Sequence, residues 1–432
     1  MSRYQAAVRV PDGSRAGCLL ERNAIVNSDE RRAARRARRD EQRAEKRSKR
    51  LEGCDLENVA SLDSLCDAAN KAANSIRWKA SVQRYHLDPL GNAVKMRDKL
   101  MRGEDIHGGF VRFTVNERGK LRNIAAVKFP ERVVQKSANQ NAFMPSVRDS
   151  LIYDNSANVK GKGTKFAVDR MKRHLVEHYR KHGREGYILL GDFKGFFASI
   201  PHEGAKALVR RSLDDDALVA FICSQIDHED GDRGLPLGSE INQTIAVAYP
   251  NRIDHFVVEC GEVEAYGRYM DDFYAIHTSK EHLQLILACI ESFAIQLGLT
   301  LNANKTHIVK LSHGFTYLKR KFSYGENGKI VVRPTREAVT RERRRLKRQA
   351  RLVADGVMTF EEAQLSYLSW RSHVLDMDSH ELVGRMDALF WELFGSCACS
   401  EDPPEARIGS FDHIPTETTP RSPRGFLLPE ND

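Results

Sequence analysis

The sequence predicts a mixed α/β (α+β) fold, and three kinds of segment predict it. Apolar residues recur at helical spacing between Ser279 and Gly298. Residues 109–115 and 121–127 alternate between apolar and polar types, which is typical of two strands joined by a turn. Tyr187–Leu190 is a short, continuous apolar run, as expected of a strand buried on both faces. Because 432 residues exceed one simple core, we expect two or three subdomains.

Composition points to a globular protein with a polyanionic partner. Apolar residues make up 41% of the chain and charged residues 29%, while the net charge is +9. This excess favours binding to a polyanion, although a solvated basic face would give the same balance. The chain has no apolar run of about 18 residues and no signal-peptide pattern, so we expect no membrane association. The eight cysteines lack zinc-type spacing, which predicts free thiols and a cytoplasmic protein.

The N-terminal part is strongly basic. We expect residues 1–52 to form a basic extension, irregular over 1–28 and helical in composition from Asp29 to Leu51. The segment has almost no apolar stripe. It is therefore either a solvated or disordered tail, or an electrostatic arm for phosphate backbones. Helices between Glu57 and Met101 are expected to open the folded part.

A loop rich in glycine and lysine, residues 153–164, precedes a predicted helix. Backbone amides at the start of a helix favour anions, so Lys160 and Lys162 are candidates for contacts to a nucleic-acid backbone. The loop lacks the glycine spacing of a P-loop. A helix is also predicted within 131–151, between the hairpin and this loop.

Adjacent carboxylates carry the strongest chemical signal. Asp271 and Asp272 lie where two short strands within Val263–Ile276 meet, flanked by apolar residues. Ionised carboxylates on a buried framework are costly unless something positive compensates them, and a divalent metal is the obvious candidate. Asp192 ends the predicted Tyr187 strand and would lie beside this turn in one sheet. Taken singly, an Asp-Asp turn or a strand-end aspartate is often only a turn or a helix cap.

The downstream segments complete the pattern. A Gly-Leu-Pro-Leu-Gly loop, residues 234–238, leads into a helix, and a loop at 300–306 presents Lys305. Strands are predicted at 315–322 and 329–333. Helices between Thr335 and Phe394 are expected to form a small bundle with its own core. Residues 397–432 have little to bury and are predicted to be disordered.

This order of elements is what nucleotidyl transfer requires. Two Mg²⁺ ions about 4 Å apart need carboxylates from different strands, one ion activating a hydroxyl and the other holding a triphosphate. Basic groups neutralise the charge that develops on the phosphates. A basic surface then binds the nucleic-acid duplex.

The chain resembles reverse transcriptases, specifically the bacterial group that includes group II intron, retron and diversity-generating enzymes. The resemblance rests on FKGFFASI after Asp192, on GLPLGSEINQ and on YMDD, and it covers roughly residues 55–395. It implies a right-hand polymerase with fingers over 53–185, a palm of antiparallel sheet and helices over 186–325, and a helical thumb over 326–396.

The resemblance also implies roles at the catalytic centre. Asp192 and Asp271 correspond to the principal metal ligands, and Asp272 to the second carboxylate of the hairpin. The backbone of Phe193 would line the triphosphate site and complete the metal ligands. Lys305 matches the lysine near the leaving pyrophosphate, a candidate general acid. The implied cofactor is a pair of Mg²⁺ ions, for which Mn²⁺ can substitute.

Further residues match binding positions of the family. Phe197 occupies the position of the bulky aromatic that collides with a ribose 2′-hydroxyl, which implies a preference for deoxynucleotides. Lys128 and Arg132 match triphosphate contacts, and Gly238 and Gln243 match contacts to the incoming base and the template. Residues expected to bind the nucleic-acid backbone are Lys160, Lys162, Arg333, Arg343, Arg344 and Arg345.

Departures from the family's patterns narrow the type of enzyme. Ala198 stands where many relatives have an acidic residue, and Leu237 where retroviral and intron enzymes have Gln. The loop ends in Asn242-Gln243 rather than Ser-Gln, and no retron-type Asn-Ala-x-x-His segment is present. We expect no room for the further domains of intron maturases. A free-standing enzyme that copies a dedicated, structured non-coding RNA into cDNA in anti-phage defence fits best.

Three alternatives stay open. The chain could be the reverse transcriptase of a diversity-generating element. It could be an RNA-dependent RNA polymerase, against which Phe197 and the Tyr-Met before Asp-Asp argue. It could also be a catalytically inactive RNA-binding scaffold, against which the complete carboxylate set argues. The expected partners are an RNA template, the cDNA product and dNTPs, and the sequence is silent on oligomeric state.

Overall fold

The computed structural model describes residues 14–117 and 120–395. These residues combine many helices with antiparallel sheets, which confirms the predicted α/β class. In chain order, the elements are α1 (Ser14–Leu51), α2 (Leu56–Ala60), α3 (Leu62–Ala72), α4 (Ala80–Leu87), α5 (Pro89–Met101), β1 (Phe110–Glu117), β2 (Lys120–Val127), α6 (Phe129–Ala138), α7 (Met144–Arg148), α8 (Thr164–His182), β3 (Tyr187–Asp192), α9 (Phe196–Ser199), α10 (His202–Ser212), α11 (Asp216–Asp227), α12 (Glu240–Ala248), α13 (Asn251–Glu259), β4 (Ala265–Tyr269), β5 (Asp272–His277), α14 (Lys280–Gln296), β6 (His307–Lys310), β7 (Phe315–Tyr317), β8 (Arg320–Tyr324), β9 (Ile330–Pro334), α15 (Arg336–Ala354), α16 (Phe360–Leu375) and α17 (His380–Phe394).

The strands form three sheets. The central sheet has four strands in the order β4-β5-β3-β6. β1 and β2 form a separate hairpin, and β7, β8 and β9 form a three-stranded sheet. The paired strands of the central sheet are all antiparallel. This sheet combines strands that are distant in sequence, because β3 lies between β5 and β6.

The central sheet is buried on both faces. Leu189 and Phe273 point into a core shared with the helices α10–α14. Ile188, Tyr274 and Ile276 point to the opposite face, into a core shared with α8 and the three-stranded sheet. Because successive side chains of a strand alternate between faces, a strand with two buried faces reads as a continuous apolar run. That explains the Tyr187–Leu190 pattern.

Two helical regions have cores of their own. The N-terminal core combines Leu65 of α3 with Val133 and Val134 of α6. The C-terminal core lies among α15, α16 and α17, around Leu346 and Phe390. The small bundle expected between Thr335 and Phe394 is thus present.

The helix α1 projects a basic surface. It begins at Ser14, so residues 14–28, predicted to be irregular, are helical. The side chains from residue 29 to 46 are exposed. Near its C-terminal end, Arg47 donates to the carbonyl of Arg211 at 3.0 Å and forms an ion pair with Asp214. Of the helices described, none has the length and apolar character needed to cross a lipid bilayer.

Two other predictions of local structure differ from the structure. The segment 315–322, predicted as one strand, is a hairpin, because Leu318 and Lys319 take φ values of 47° and 61° and reverse the chain in two residues. The helix predicted within 131–151 is interrupted by a π-helical turn at Asn139–Phe143. The predicted disordered tail, 397–432, lies outside the described residues.

Candidate active site

The strand register brings the predicted carboxylates to one end of the central sheet. Asp192 ends β3 and lies directly opposite Asp272, which begins β5. Asp271 occupies the two-residue turn between β4 and β5. The amide of Phe193 donates to the carbonyl of Asp271 at 3.2 Å, which ties the turn to the end of β3. Three carboxylates therefore meet where the two strands adjoin.

Asp192 is held by two polar side chains of the 300–306 loop. Lys305 Nζ lies 2.6 Å from its Oδ2, and Asn302 Nδ2 donates to its Oδ1 at 2.9 Å. The amide of Asn302 also donates to the Asp192 carbonyl at 2.8 Å. Asn302 was not predicted from the sequence. Lys305 and Asp192, distant in sequence, are thus brought into contact by the fold.

Crowding of the carboxylates perturbs the protonation of Asp272. Burial, with the charges of Asp271 and Asp192, raises the pKa of Asp272 from 3.8 to about 7, and Lys305 only partly offsets this. Burial opposes the charged form of Lys305, yet its hydrogen bond to Asp192 leaves its pKa above the ordinary value. The cluster therefore has more negative charge than nearby positive charge. Carboxylate oxygens from separate chain segments are the donors that Mg²⁺ and Mn²⁺ prefer.

A buried ion pair lies in the core next to the β4–β5 turn. Arg268 of β4 and Asp254 of α13 are both fully buried, and Arg268 Nη2 lies 2.6 Å from Asp254 Oδ2. Arg268 Nε donates to both carboxylate oxygens at 2.8 and 3.0 Å, and the Tyr266 hydroxyl donates to Oδ1 at 2.8 Å. Although burial disfavours a charged guanidinium, Asp254 raises the pKa of Arg268 above its ordinary value.

The same arginine fixes the backbone of the turn. Met270 has a φ of 54°, in the left-handed region that favours glycine. Such a residue costs of order 1–3 kcal/mol and persists only where its surroundings determine it. Arg268 Nη1 donates to the Met270 carbonyl at 2.9 Å, immediately before Asp271. The sequence offered one signal for this role, a charged residue in an otherwise apolar strand.

A glycine next to Asp192 lets the sheet pack closely. Gly191 lies opposite Phe273, whose ring covers it so closely that an added Cβ would lie 2.1 Å from Cζ. A larger residue would force the ring aside. The position immediately before Asp192 therefore depends on the absence of a side chain.

A cavity of about 510 Å³ opens beside Phe197. Its walls are Phe197 and Ala198, residues 112–114 and 123–125 of the β1–β2 hairpin, and the loop 233–237. The amide of Leu235 donates to the Phe197 carbonyl at 2.8 Å, so the loop is fixed to the short helix α9. The volume lies within the range of about 300–1,000 Å³ that is usual for small-ligand pockets. Phe197 is thus positioned to contact a ligand there.

The predicted nucleotide contacts border this region. Gly238 has a φ of 128°, and a Cβ on it would lie 3.3 Å from the Ala125 carbonyl, so the loop passes close to β2. Gln243 is half-buried in α12. Lys128 is exposed and precedes α6, and Arg132 is half-buried one turn later.

The predicted nucleic-acid contacts fall into two groups. Those with exposed side chains are Lys160, Arg333, Arg343 and Arg344. Lys162 instead donates to the carbonyls of Tyr153 and Asn155, at 2.6 and 3.2 Å. Arg345 donates to Glu342 at 2.7 Å and to the Ser366 carbonyl at 2.9 Å. These bonds favour structural roles for Lys162 and Arg345, and their predicted contacts stay predictions.

Comparison with known protein families adds independent evidence. Residues 107–322, half of the chain, match the family described as reverse transcriptase (RNA-dependent DNA polymerase). No curated protein matches the chain. The match spans the hairpin, the cavity and all three carboxylates. The chain belongs to the reverse transcriptase family and is an RNA-directed DNA polymerase, a nucleotidyltransferase. Its substrates are an RNA template and dNTPs, and the family generally uses divalent metal ions.

Proposed function

We propose that this reverse transcriptase extends DNA through a two-metal centre at Asp192, Asp271 and Asp272. The observation that carries the proposal is the direct pairing of Asp192 with Asp272 across β3 and β5, with Asp271 in the adjoining turn. We infer that Asp192 and Asp271 would be the principal ligands of two Mg²⁺ ions, that Asp272 would be a secondary ligand, and that Mn²⁺ could replace Mg²⁺. The Phe193 backbone is the remaining candidate ligand.

The residues present suit such ions, because the cluster offers hard oxygen donors and its acidic charge exceeds that of its neighbours. When bound, divalent ions would acidify the primer hydroxyl and neutralise charge on the triphosphate. Lys305 compensates Asp192 at 2.6 Å. Its ammonium is 61% exposed, and we assign it the role of proton donor to the leaving pyrophosphate.

We assign recognition of the incoming nucleotide to the cavity beside Phe197. The ring of Phe197 would exclude a ribose 2′-hydroxyl, so deoxynucleotides are preferred. Lys128, immediately before α6, and Arg132, on its first turn, would bind the triphosphate. Gly238, in the loop that borders β2, and Gln243, in α12, would contact the incoming base and the template.

We infer that fingers, palm and thumb span residues 53–185, 186–325 and 326–396. The exposed basic side chains of α15 and β9 then bind the primer–template, as does Lys160. The basic helix α1 suits a structured RNA, since clustered arginines bind phosphate backbones through release of counterions. We therefore propose a bacterial, cytoplasmic enzyme that copies a dedicated non-coding RNA in anti-phage defence. Service in a diversity-generating element is the alternative.

The catalytic assignment is tested with Asp271→Asn and Asp272→Asn, which remove charge but keep size. Each should lower dNTP incorporation on a primed RNA template by at least about 100-fold, because removing a catalytic electrostatic group costs about 3 kcal/mol or more. The matched control is Asp98→Asn, which changes an exposed carboxylate of α5. Incorporation by either site variant at the rate of the control would refute the assignment.

A further inference from the structure

A second cluster of ligating side chains lies away from the three carboxylates. His107 precedes β1, Glu131 lies in α6, and His228 follows α11. One potential ligand atom from each residue lies within 4.8 Å of the other two. Three segments distant in sequence therefore place two imidazoles and a carboxylate together.

The carboxylate of this cluster is buried and oriented. Glu131 is 2% exposed, and its two oxygens lie 3.0 and 3.1 Å from His107 Nδ1. It also accepts from the amide of Gly108 at 3.3 Å and from Gln135 Nε2 at 3.2 Å. Metal ligands in proteins are held by such outer hydrogen bonds.

The two imidazoles lie against each other, with ring centroids 3.9 Å apart and planes inclined by 15°. Both side chains are 15% exposed. His228 Nε2 lies 3.4 Å from Asp105 Oδ1, whereas its Nδ1 is buried without a hydrogen-bond partner. A buried polar atom without a partner is costly and rare in native proteins. The lone pair of His228 Nδ1 is therefore available to bind a metal ion.

We propose that His107, Glu131 and His228 bind one transition-metal ion of the Zn²⁺ class, with water in the fourth position. Two imidazole nitrogens and carboxylate oxygens form a donor set that suits zinc, whereas Mg²⁺ favours oxygen alone. Ligand atoms about 2.1 Å from one ion lie within roughly 4 Å of one another, so the side chains must approach by about 1 Å and the rings must turn out of their stack.

The ion would join α6 to two segments that adjoin the cavity beside Phe197. His107 adjoins the β1–β2 hairpin, and His228 adjoins the loop 233–237 through Glu229. Arg112 and Glu229 line that cavity and already lie 3.5 Å apart. A metal here would fix the hairpin against the loop. This site is separate from the three carboxylates, and metal binding there does not depend on the proposed polymerase mechanism.

A second histidine cluster provides a matched control. His178 and His182 of α8 lie near Glu264, and their ligand atoms also fall within 4.8 Å of one another. However, His178 Nδ1 lies 2.9 Å from Glu264 Oε2, and its Nε2 lies 2.6 Å from the Glu185 carbonyl. Both nitrogens of His178 are already engaged. This cluster is complete as a hydrogen-bonded network, and we assign it no metal.

The test is equilibrium binding of Co²⁺ and Zn²⁺ to the full chain in excess Mg²⁺, which occupies the oxygen-rich centre. Wild type should bind one equivalent, and Co²⁺ should give the visible absorption of a four-coordinate nitrogen–oxygen site. His228→Ala and Glu131→Gln should each weaken binding by at least about tenfold, since even residues that only orient ligands contribute 10- to 100-fold. The control His182→Ala should bind as wild type does.

Several outcomes would overturn the proposal. These are the absence of stoichiometric binding to wild type, unchanged affinity in both site variants, or loss of binding in His182→Ala. Circular dichroism and thermal unfolding are measured for every variant to confirm folding. Because Glu131→Gln preserves volume and His228 lies in a loop, at least one variant is expected to remain folded for the comparison.

Discussion

Replacing Asp272 with asparagine should stabilise the metal-free protein above pH 7 while removing its activity. Asp272 begins β5 opposite Asp192 and beside Asp271, so its ionised form adds a third negative charge to a partly buried site. An amide keeps the shape and removes the charge. Asp272 is thus predicted to lower the stability of the metal-free protein, as is common at sites that bind a charged ligand.

The size of the effect follows from the pKa of Asp272. Its rise from 3.8 to about 7 means that the folded state holds a proton that the unfolded state has released. The contribution of Asp272 to stability therefore falls as pH rises from about 4 to about 7, and this contribution is constant above pH 7. At about 1.4 kcal/mol for each tenfold change in proton affinity, the loss is at most about 4 kcal/mol. Because the charges of Asp271 and Asp192 contribute to the raised pKa of Asp272, part of this loss depends on those neighbours.

Urea unfolding in EDTA at pH 5 and pH 8 measures the effect. Asp272→Asn should be more stable than wild type at pH 8, by at most about 4 kcal/mol, and the difference should shrink toward pH 5. Adding Mg²⁺ at pH 8 should stabilise wild type more than the variant, since an ion that binds only the folded state raises its stability. Asp98→Asn should show neither dependence. A variant no more stable than wild type at pH 8 in EDTA would refute the electrostatic reasoning.

Two further predictions concern the support of the turn and the choice of sugar. Arg268→Lys should lower the free energy of unfolding by about 3–5 kcal/mol, because lysine cannot form the bidentate hydrogen bonds with Asp254 inside the core. The control is Arg252→Lys, which changes an exposed arginine of α13. If Arg268→Lys lowered the free energy of unfolding by less than about 1 kcal/mol, this reasoning would be contradicted. Phe197→Ala should raise ribonucleotide incorporation relative to dNTPs by at least tenfold, measured by primer extension with each substrate, whereas Phe197→Tyr should retain discrimination. Equal discrimination in all three proteins would exclude Phe197 as the gate.

The parts that sequence could predict are those that depend on local pattern. Continuous apolar residues identified β3, and the alternation within 109–127 identified the hairpin β1–β2. Asp192 was predicted to lie beside the Asp271–Asp272 turn in one sheet, and the register of β3 and β5 sets it directly opposite Asp272. Lys305 was inferred from resemblance, and its contact with Asp192 is a fact of the fold.

The parts that sequence could not predict depend on contacts between distant segments. Asn302 is an ordinary loop residue until the register of β3 sets it against Asp192. Asp254 is one acidic residue in an amphipathic helix, and nothing local pairs it with Arg268. The hairpin at Leu318-Lys319 lacks the glycine or asparagine that normally announces such a turn. The His107–Glu131–His228 cluster was missed because its members are spread over 122 positions, without the close spacing of local metal motifs.

Two cationic side chains, Arg268 and Lys305, have different roles at the turn between β4 and β5. The charge of Arg268 is matched by Asp254 inside the core, so its effect on the turn is geometric, through the hydrogen bond to the Met270 carbonyl. Lys305 is 61% exposed and offsets Asp192 electrostatically from a loop. A rigid, buried pair thus fixes where the carboxylates lie, while a solvated lysine supplies charge that can move. We therefore expect that Lys305 could leave Asp192 when Asp192 held a metal ion, while Arg268 would keep the backbone before Asp271 in place.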